Sequence, residues 1–144
     1  MIDFYVNIIT KGGGNMQATI SHSTDLINGG CNACPTIKTM SYTLTLGQVT
    51  TPLEELDVPS LVMAIVLQAG FRQTLVMDFM DECIEFQYEE KRVRFVEQFG
   101  KQIYKTDEQE IISTQHQSTE LLFQQVNQIL TELFEIEAVA FVVV

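Results

Sequence analysis

Cysteine, long apolar runs and basic residues are all scarce in this sequence, and each shortage excludes a class of protein. Only three cysteines occur in 144 residues, which is too few for a disulfide framework, so we expect reduced thiols. The longest apolar run without a charge, residues 58–71, is shorter than the roughly 20 residues that span a bilayer. The first residues alternate and carry Asp3, unlike a signal peptide. We therefore expect a cytoplasmic protein that does not bind membranes.

Basic residues are outnumbered: eight Lys and Arg stand against 19 Asp and Glu, which gives a formal net charge of −11. Residues 1–50 hold two acids and two bases, so the whole negative charge lies in residues 51–144. A field of this sign repels nucleic acid and attracts basic proteins. The five bases between Lys91 and Lys105 are interleaved with acids, which indicates a charge-paired hairpin and not a nucleic-acid patch. The sequence thus predicts a basic protein partner and no nucleic acid.

The periodicity of the first 50 residues predicts strands. Residues 2–8 alternate apolar and polar as a half-buried strand does, and residues 17–21 fit a second strand after the glycine-rich turn at Gly12. Residues 21–35 are small, polar and glycine-bearing, so we expect a long loop there. Residues 39–50 are rich in β-branched and aromatic side chains and predict another strand.

The segment after residue 57 has the features of a buried helix. Asp57 suits an N-cap, Pro59 suits the first turn and Gly70 suits the stop. The residues between them are largely apolar on every side, which is typical of a helix surrounded by the core. We therefore predict a buried helix at about residues 58–70.

The end of the chain predicts a helix followed by a strand. Thr114 and Gln117 have the spacing of a capping box, and an apolar stripe follows them. We predict a long amphipathic helix at about residues 114–134. The continuous β-branched and apolar run at residues 138–144 predicts a strand that is buried on both faces.

Residues 72–90 fit two periods. At about 100° per residue, five acids share one helix face: Asp78, Asp81, Glu82, Glu85 and Glu89. At about 180° per residue, Ile84 begins an alternation that predicts a strand. We expect a helix or strand up to about residue 81, a strand from Ile84, a turn at residues 89–92, a second arm to Phe99 and a further strand at residues 102–106. The five acids are the candidate surface for the basic partner.

Together these segments predict an α+β fold in a single domain, residues 1–144, with an antiparallel sheet of about five strands. The length is close to the usual size of one domain. The hydrophobic fraction of 46% is that of a globular protein. Two helices and a buried C-terminal strand complete the predicted fold.

The CxxC pair, Cys31 and Cys34, allows three interpretations. A reactive dithiol needs a helix directly after it to lower the thiol pKa, but Pro35 and a predicted strand follow. A structural zinc site needs further ligands at ligand spacing. Three residues of the right type are scattered without that spacing: His22, Cys83 and His116. The simplest interpretation is a glycine-rich turn with two small thiols.

Catalytic motifs are missing at the spacing that their chemistry requires. His22 and Asp25 flank Ser23 without a nucleophile elbow, and the glycines from Gly12 lack the lysine of a phosphate-binding loop. We therefore expect no enzyme activity, no cofactor and no metal.

The leading hypothesis for function is a small acidic protein-binding module. An inhibitor or immunity-type protein that neutralises a basic nuclease toxin would have this size and sign of charge. One alternative is a thiol-redox or zinc-binding protein that acts through Cys31 and Cys34. Another is a homo-oligomeric structural or small-ligand-binding domain, for example a homodimer.

Overall fold

The computed structural model describes residues 16–28, 36–53, 55–78, 81–114 and 118–144. Within these residues the chain forms nine strands and two helices. In chain order they are β1 (Met16–Asn28), β2 (Thr36–Leu46), β3 (Val49–Leu53), α1 (Val58–Gln68), β4 (Arg72–Asp78), β5 (Asp81–Tyr88), β6 (Lys91–Gln98), β7 (Lys101–Lys105), β8 (Glu110–Ser113), α2 (Thr119–Glu132) and β9 (Val139–Val143). The predicted α+β class is confirmed.

Four strands form the first sheet, in the order β3, β2, β1, β9. The first three are antiparallel neighbours, whereas β9 lies parallel to β1 and places Phe141 beside Ala18. A parallel neighbour requires a crossover connection, and here the elements from β2 to α2 lie between β1 and β9 in the chain. The predicted C-terminal strand is confirmed, and its residues 139–141 are buried.

The second sheet is an antiparallel meander of five strands, in chain order from β4 to β8. It confirms the predicted antiparallel sheet. Because side chains alternate between the faces of a strand, Phe86, Val93 and Tyr104 face the core and their neighbours in sequence face away from it. We call this second side the outer face.

Residues 72–78 and 81–88 form two strands, so the helical interpretation of this segment is wrong. β4 and β5 pair from Arg72 with Gln87 to Asp78 with Asp81. β5 lies between β4 and β6, and hydrogen bonds to these two strands satisfy the backbone donors and acceptors that a helix would satisfy internally. The predicted strand from Ile84 and its second arm are confirmed, with the turn at residues 89 and 90.

The predicted long loop is wrong for residues 21–28, which continue β1. The pairing of β1 with β2 reaches Asn28 opposite Thr36. Small polar side chains suit this part of the hairpin because residues 21–24 are exposed on both faces. The hydroxyl oxygens of Ser23 and Ser41 lie 2.8 Å apart across the two strands.

The predicted strand at residues 39–50 is divided in two by a turn. Gly47, at a φ of 64°, turns the chain from β2 into β3. An L-residue adopts this backbone conformation at a cost that glycine avoids. The strand predicted at residues 2–8 and the glycine turn after it lie outside the described residues.

α1 confirms the predicted buried helix. The Asp57 carboxylate accepts a hydrogen bond of 2.9 Å from the Ser60 N–H, which caps the first turn. Gly70, at a φ of 101°, follows the end of the helix, and a Cβ there would lie 3.1 Å from the Tyr88 ring. The position that follows α1 therefore requires glycine.

α2 begins later than predicted. Ser118 is its N-cap and accepts a hydrogen bond of 3.2 Å from the Leu121 N–H, so the predicted start at Thr114 is wrong. The strand β8 ends at Ser113, and its Ile111 is buried opposite Tyr104 of β7. The amphipathic character is confirmed. Among the described residues, no helix has the length and apolar character needed to span a membrane.

One hydrophobic core joins both sheets and both helices. Phe123 of α2 stacks on Phe141 of β9 with ring centroids 4.5 Å apart. The Asn127 side chain forms two hydrogen bonds with the Val139 backbone, of 2.7 and 2.9 Å. These contacts hold α2 against the first sheet.

Tyr104 is the largest fully buried side chain of this core. Its ring centroid lies 4.8 Å from that of Phe95. Burial raises the pKa of the Tyr104 hydroxyl, and the negative charges of Asp57 and Glu97 act in the same direction. The hydroxyl therefore stays protonated at physiological pH.

Candidate functional site

A cavity of about 810 Å³ opens where three chain segments meet: the end of α1, the turn between β5 and β6, and the segment after α2. We call it the acidic pocket. Its lining residues are Ala69, Phe71, Tyr88, Glu89, Glu90, Lys91, Phe134, Glu135 and Ile136. The segments are far apart in sequence, so only the fold creates the site.

Aromatic rings form the floor of the acidic pocket. The ring centroid of Phe71 lies 5.5 Å from that of Tyr88 and 5.2 Å from that of Phe134. Phe134 also meets Phe86 of the core edge-on, at 5.8 Å. Phe71 and Phe134 are buried, whereas Tyr88 is 46% exposed. The floor is thus an extension of the hydrophobic core that ends in an accessible ring.

Carboxylates form the rim of the acidic pocket. Glu89, Glu90 and Glu135 are exposed. Lys91 provides the one positive charge among the described lining residues, and its Nζ lies 3.4 Å from Glu135 Oε1. Three carboxylates against one ammonium leave a formal charge of −2 on the lining.

The backbone at the rim is strained at two of these carboxylates. Glu89 and Glu135 have φ values of 53° and 57°, in the left-handed region. For residues other than glycine this conformation costs about 1–2 kcal/mol each. Directly after Glu135 the backbone bonds to the end of α2: the Ile136 N–H donates a hydrogen bond of 2.9 Å to the Leu130 carbonyl. Tight turns therefore place the side chains of Glu89 and Glu135 at the rim.

This arrangement suits a cation with an apolar stem. An ammonium or guanidinium group over an aromatic face gains about 0.5–2 kcal/mol, and carboxylates add charge-assisted hydrogen bonds. The lysine and arginine side chains combine such a head with a methylene stem that packs on rings. The acidic pocket therefore has the chemistry to bind a basic side chain.

Residues 16–143 match the model of a family described as a domain of unknown function, DUF4809. The chain belongs to this family. No curated protein and no solved structure matches the chain. The family description names no activity, so the site of this DUF4809 chain is defined by its geometry.

Of the five acids predicted as a partner-binding surface, only Glu89 is among the described residues that line the acidic pocket. Strand alternation separates one of the others, since Glu82 faces the opposite side of β5 from Asp81 and Glu85. Asp81 accepts a hydrogen bond from Gln98. Asp78 lies opposite Asp81 in the strand register.

Glu85 is not a solvated surface acid. It is 9% exposed, and its Oε2 lies 3.1 Å from the Nε of Arg94 on the neighbouring strand β6. The ion pair within the second sheet already engages this carboxylate. Glu85 is therefore a poor contact for a partner.

The predicted thiol site, Cys31 and Cys34, lies outside the described residues. These residues belong to the segment that joins β1 to β2, whose last described pair is Asn28 with Thr36. Cys83 is buried on β5. Within the part of the chain that the structure describes, no three His, Cys, Asp or Glu side chains are grouped as metal ligands.

The sequence analysis missed Phe71, Phe134 and Glu135. One signal was present, because the chain places acids directly after aromatic residues in two segments, Tyr88-Glu89-Glu90 and Phe134-Glu135. Each aromatic residue belongs to the floor and each acid to the rim. The pattern becomes informative only when the two segments are known to meet.

Proposed function

We propose that the protein is a small, non-catalytic cytoplasmic module that binds a basic protein partner, and that the acidic pocket receives an arginine or lysine side chain of that partner. One observation carries the proposal: a single cavity combines three aromatic rings with three carboxylates. The exposed charge steers the partner, and the rings bind the stem of its side chain.

Lys91 supports the assignment of the ligand. Its side chain lines the acidic pocket, is 29% exposed and places its ammonium 3.4 Å from Glu135. A cationic side chain of this chain therefore already lies where we place the partner's. In our proposal the incoming side chain competes with Lys91 for the rim carboxylates.

The same chemistry suits an inhibitor of a nucleic-acid enzyme. A nuclease binds phosphates through arginine and lysine side chains, and a carboxylate-rimmed pocket is complementary to those side chains. The net charge of −11 would speed the encounter with such a protein. We therefore retain an immunity-type protein as the specific form of the proposal.

A titration with single amino-acid derivatives tests the pocket directly. The probes are N-acetyl-arginine amide and its uncharged citrulline analogue, added to the full ¹⁵N-labelled chain. We expect saturable amide shifts at Ala69, Glu90 and Glu135 with an affinity on the order of 1 mM, or about −4 kcal/mol. The citrulline analogue should bind at least about tenfold more weakly, because it lacks the charge.

Matched variants distinguish the pocket from the diffuse charge of the protein. Glu90→Gln and Glu135→Gln should each weaken arginine binding about threefold. Glu82→Gln and Glu108→Gln change the charge equally at exposed residues that do not line the acidic pocket, and should change the affinity less than about 1.5-fold. Equal losses in all four variants, or equal binding of citrulline, would contradict the proposal.

The thiol or zinc alternative through Cys31 and Cys34 stays a prediction, since both residues lie outside the described part of the chain. The homo-oligomeric alternative also stays a prediction.

A further inference from the structure

The outer face of the second sheet holds most of the basic residues of this acidic protein. Residues 51–144 hold six bases. Strand alternation and register put five of them on the outer face: Arg72, Arg92, Arg94, Lys101 and Lys105. The sixth, Lys91, lines the acidic pocket on the other side. The fold thus separates some of these bases from the acids that lie next to them in the sequence.

Three of these bases line a depression of about 310 Å³ on the outer face, at the end where β5 turns into β6. We call it the basic depression. Its lining residues are Glu85, Arg92, Arg94, Lys105, Thr106 and Asp107. Three cations and two carboxylates give it a formal charge of +1, in a protein of net charge −11.

An ion pair within the sheet positions the Arg94 guanidinium group, which lines the basic depression. Glu85 Oε2 lies 3.1 Å from Arg94 Nε, and the Glu85 side chain is only 12% exposed. Lys105 lies directly opposite Arg94 on β7. Glu85 and Lys105 thus flank Arg94 on the neighbouring strands, and the register brings an ammonium and a guanidinium group to the same depression.

We infer that the basic depression binds a phosphoryl group. Guanidinium forks and an ammonium group together match the several oxygens and the double charge of a phosphate, whereas a carboxylate needs only one arginine. The acidic surroundings repel a polyanion such as nucleic acid, so the ligand is a single group and not a polymer. Two sources supply this chemistry: free phosphate and a phosphorylated side chain.

The test is a titration of the full ¹⁵N-labelled chain at constant ionic strength with inorganic phosphate, O-phosphoserine and acetate. We expect saturable amide shifts at Arg92, Lys105 and Thr106 with phosphate or phosphoserine. Acetate should bind at least about fivefold more weakly, because it carries one charge. Tighter binding of phosphoserine than of phosphate would identify a phosphorylated side chain as the source.

Variants assign the binding to the basic depression. Arg92→Gln and Lys105→Gln should each weaken phosphate binding about three- to tenfold. Lys101→Gln, a matched loss of charge on the same face that does not line the depression, should change it less than about 1.5-fold. Glu85→Gln removes a lining negative charge and should tighten binding about threefold, an effect that misfolding cannot imitate.

Three results would overturn the inference: shifts that do not saturate, equal binding of acetate, or an equal loss of affinity in the Lys101→Gln variant. The inference is independent of the proposed function, because the acidic pocket and the basic depression share none of the lining residues that the structure describes.

Discussion

The acidic pocket and the basic depression lie at the same end of the five-stranded sheet but open on opposite faces. Two strands contribute to both. β5 provides Tyr88 to the acidic pocket and Glu85 to the basic depression, and β6 provides Lys91 to the first and Arg92 and Arg94 to the second. Alternation of side chains along a strand is enough to separate them. A cluster that looks charge-balanced in sequence can therefore become two sites of opposite sign.

The two sites are built from different interactions. The floor of the acidic pocket is made of core aromatic rings, so hydrophobic packing fixes its shape. The basic depression depends on the pair between Glu85 and Arg94 and on strand register. Damage to the first site should therefore cost the protein more stability than damage to the second.

Phe134→Ala is the strongest test of this difference. Phe134 is 2% exposed and packs edge-on against Phe71 and Phe86, so its truncation should lower the free energy of unfolding by about 3–5 kcal/mol. Arg92→Ala in the basic depression should lower it by less than about 0.5 kcal/mol. Chemical denaturation of both variants measures the contrast. Similar losses of unfolding free energy in the two variants would contradict this difference, because both sites would then depend equally on the hydrophobic core.

Arg94→Ala tests the ion pair of the basic depression. It leaves the carboxylate of Glu85, 9% exposed, without its partner on β6, and we expect a loss of about 1–3 kcal/mol. Arg92→Ala removes the same charge from the same strand and is the control. Glu85→Gln in the Arg94→Ala background should restore part of the loss, because a neutral amide is less costly to bury. No difference between the two arginine variants would refute the role of the pair.

Glu135→Gly tests the strain that distinguishes the acidic pocket. Both strained carboxylate residues line that pocket, and among the described residues none that lines the basic depression has a positive φ. Glu135→Gly should be more stable than Glu135→Ala by about 1 kcal/mol, because only glycine adopts this backbone without cost. Both variants should bind arginine equally weakly, since both lack the carboxylate. Equal thermal unfolding would argue against strain.

The local parts of the fold were predictable from sequence because their signals are local. Asp57, Pro59 and Gly70 gave the bounds of α1, and the run at the end of the chain gave β9. Residues 72–90 fitted two periods, and the choice depends on pairing with strands further along the chain. A local signal also misled: the capping-box spacing of Thr114 and Gln117 predicted the start of α2, whereas Ser118 is the cap.

The site was less predictable than the fold. The negative charge and Glu89 were readable, but the floor of the acidic pocket joins Phe71, Tyr88 and Phe134 from three segments. Periodicity gives the face on which a side chain lies and not the partner it meets. The basic depression was hidden for a related reason: the interleaved charges of residues 91–105 are assigned to faces only once the strand register is known.

Lys91→Gln has the smallest expected effect and tests the independence of the two sites most directly. If Lys91 competes with the partner's side chain for the rim, its removal should tighten binding of N-acetyl-arginine amide about two- to threefold, because one competing ammonium is lost at Glu135. Phosphate binding should stay the same, since Lys91 does not line the basic depression. Lys101→Gln makes the same change of net charge elsewhere and should leave arginine binding within about 1.3-fold. Weaker arginine binding in the Lys91→Gln variant would mean that Lys91 orients Glu135 for the ligand instead of competing with it.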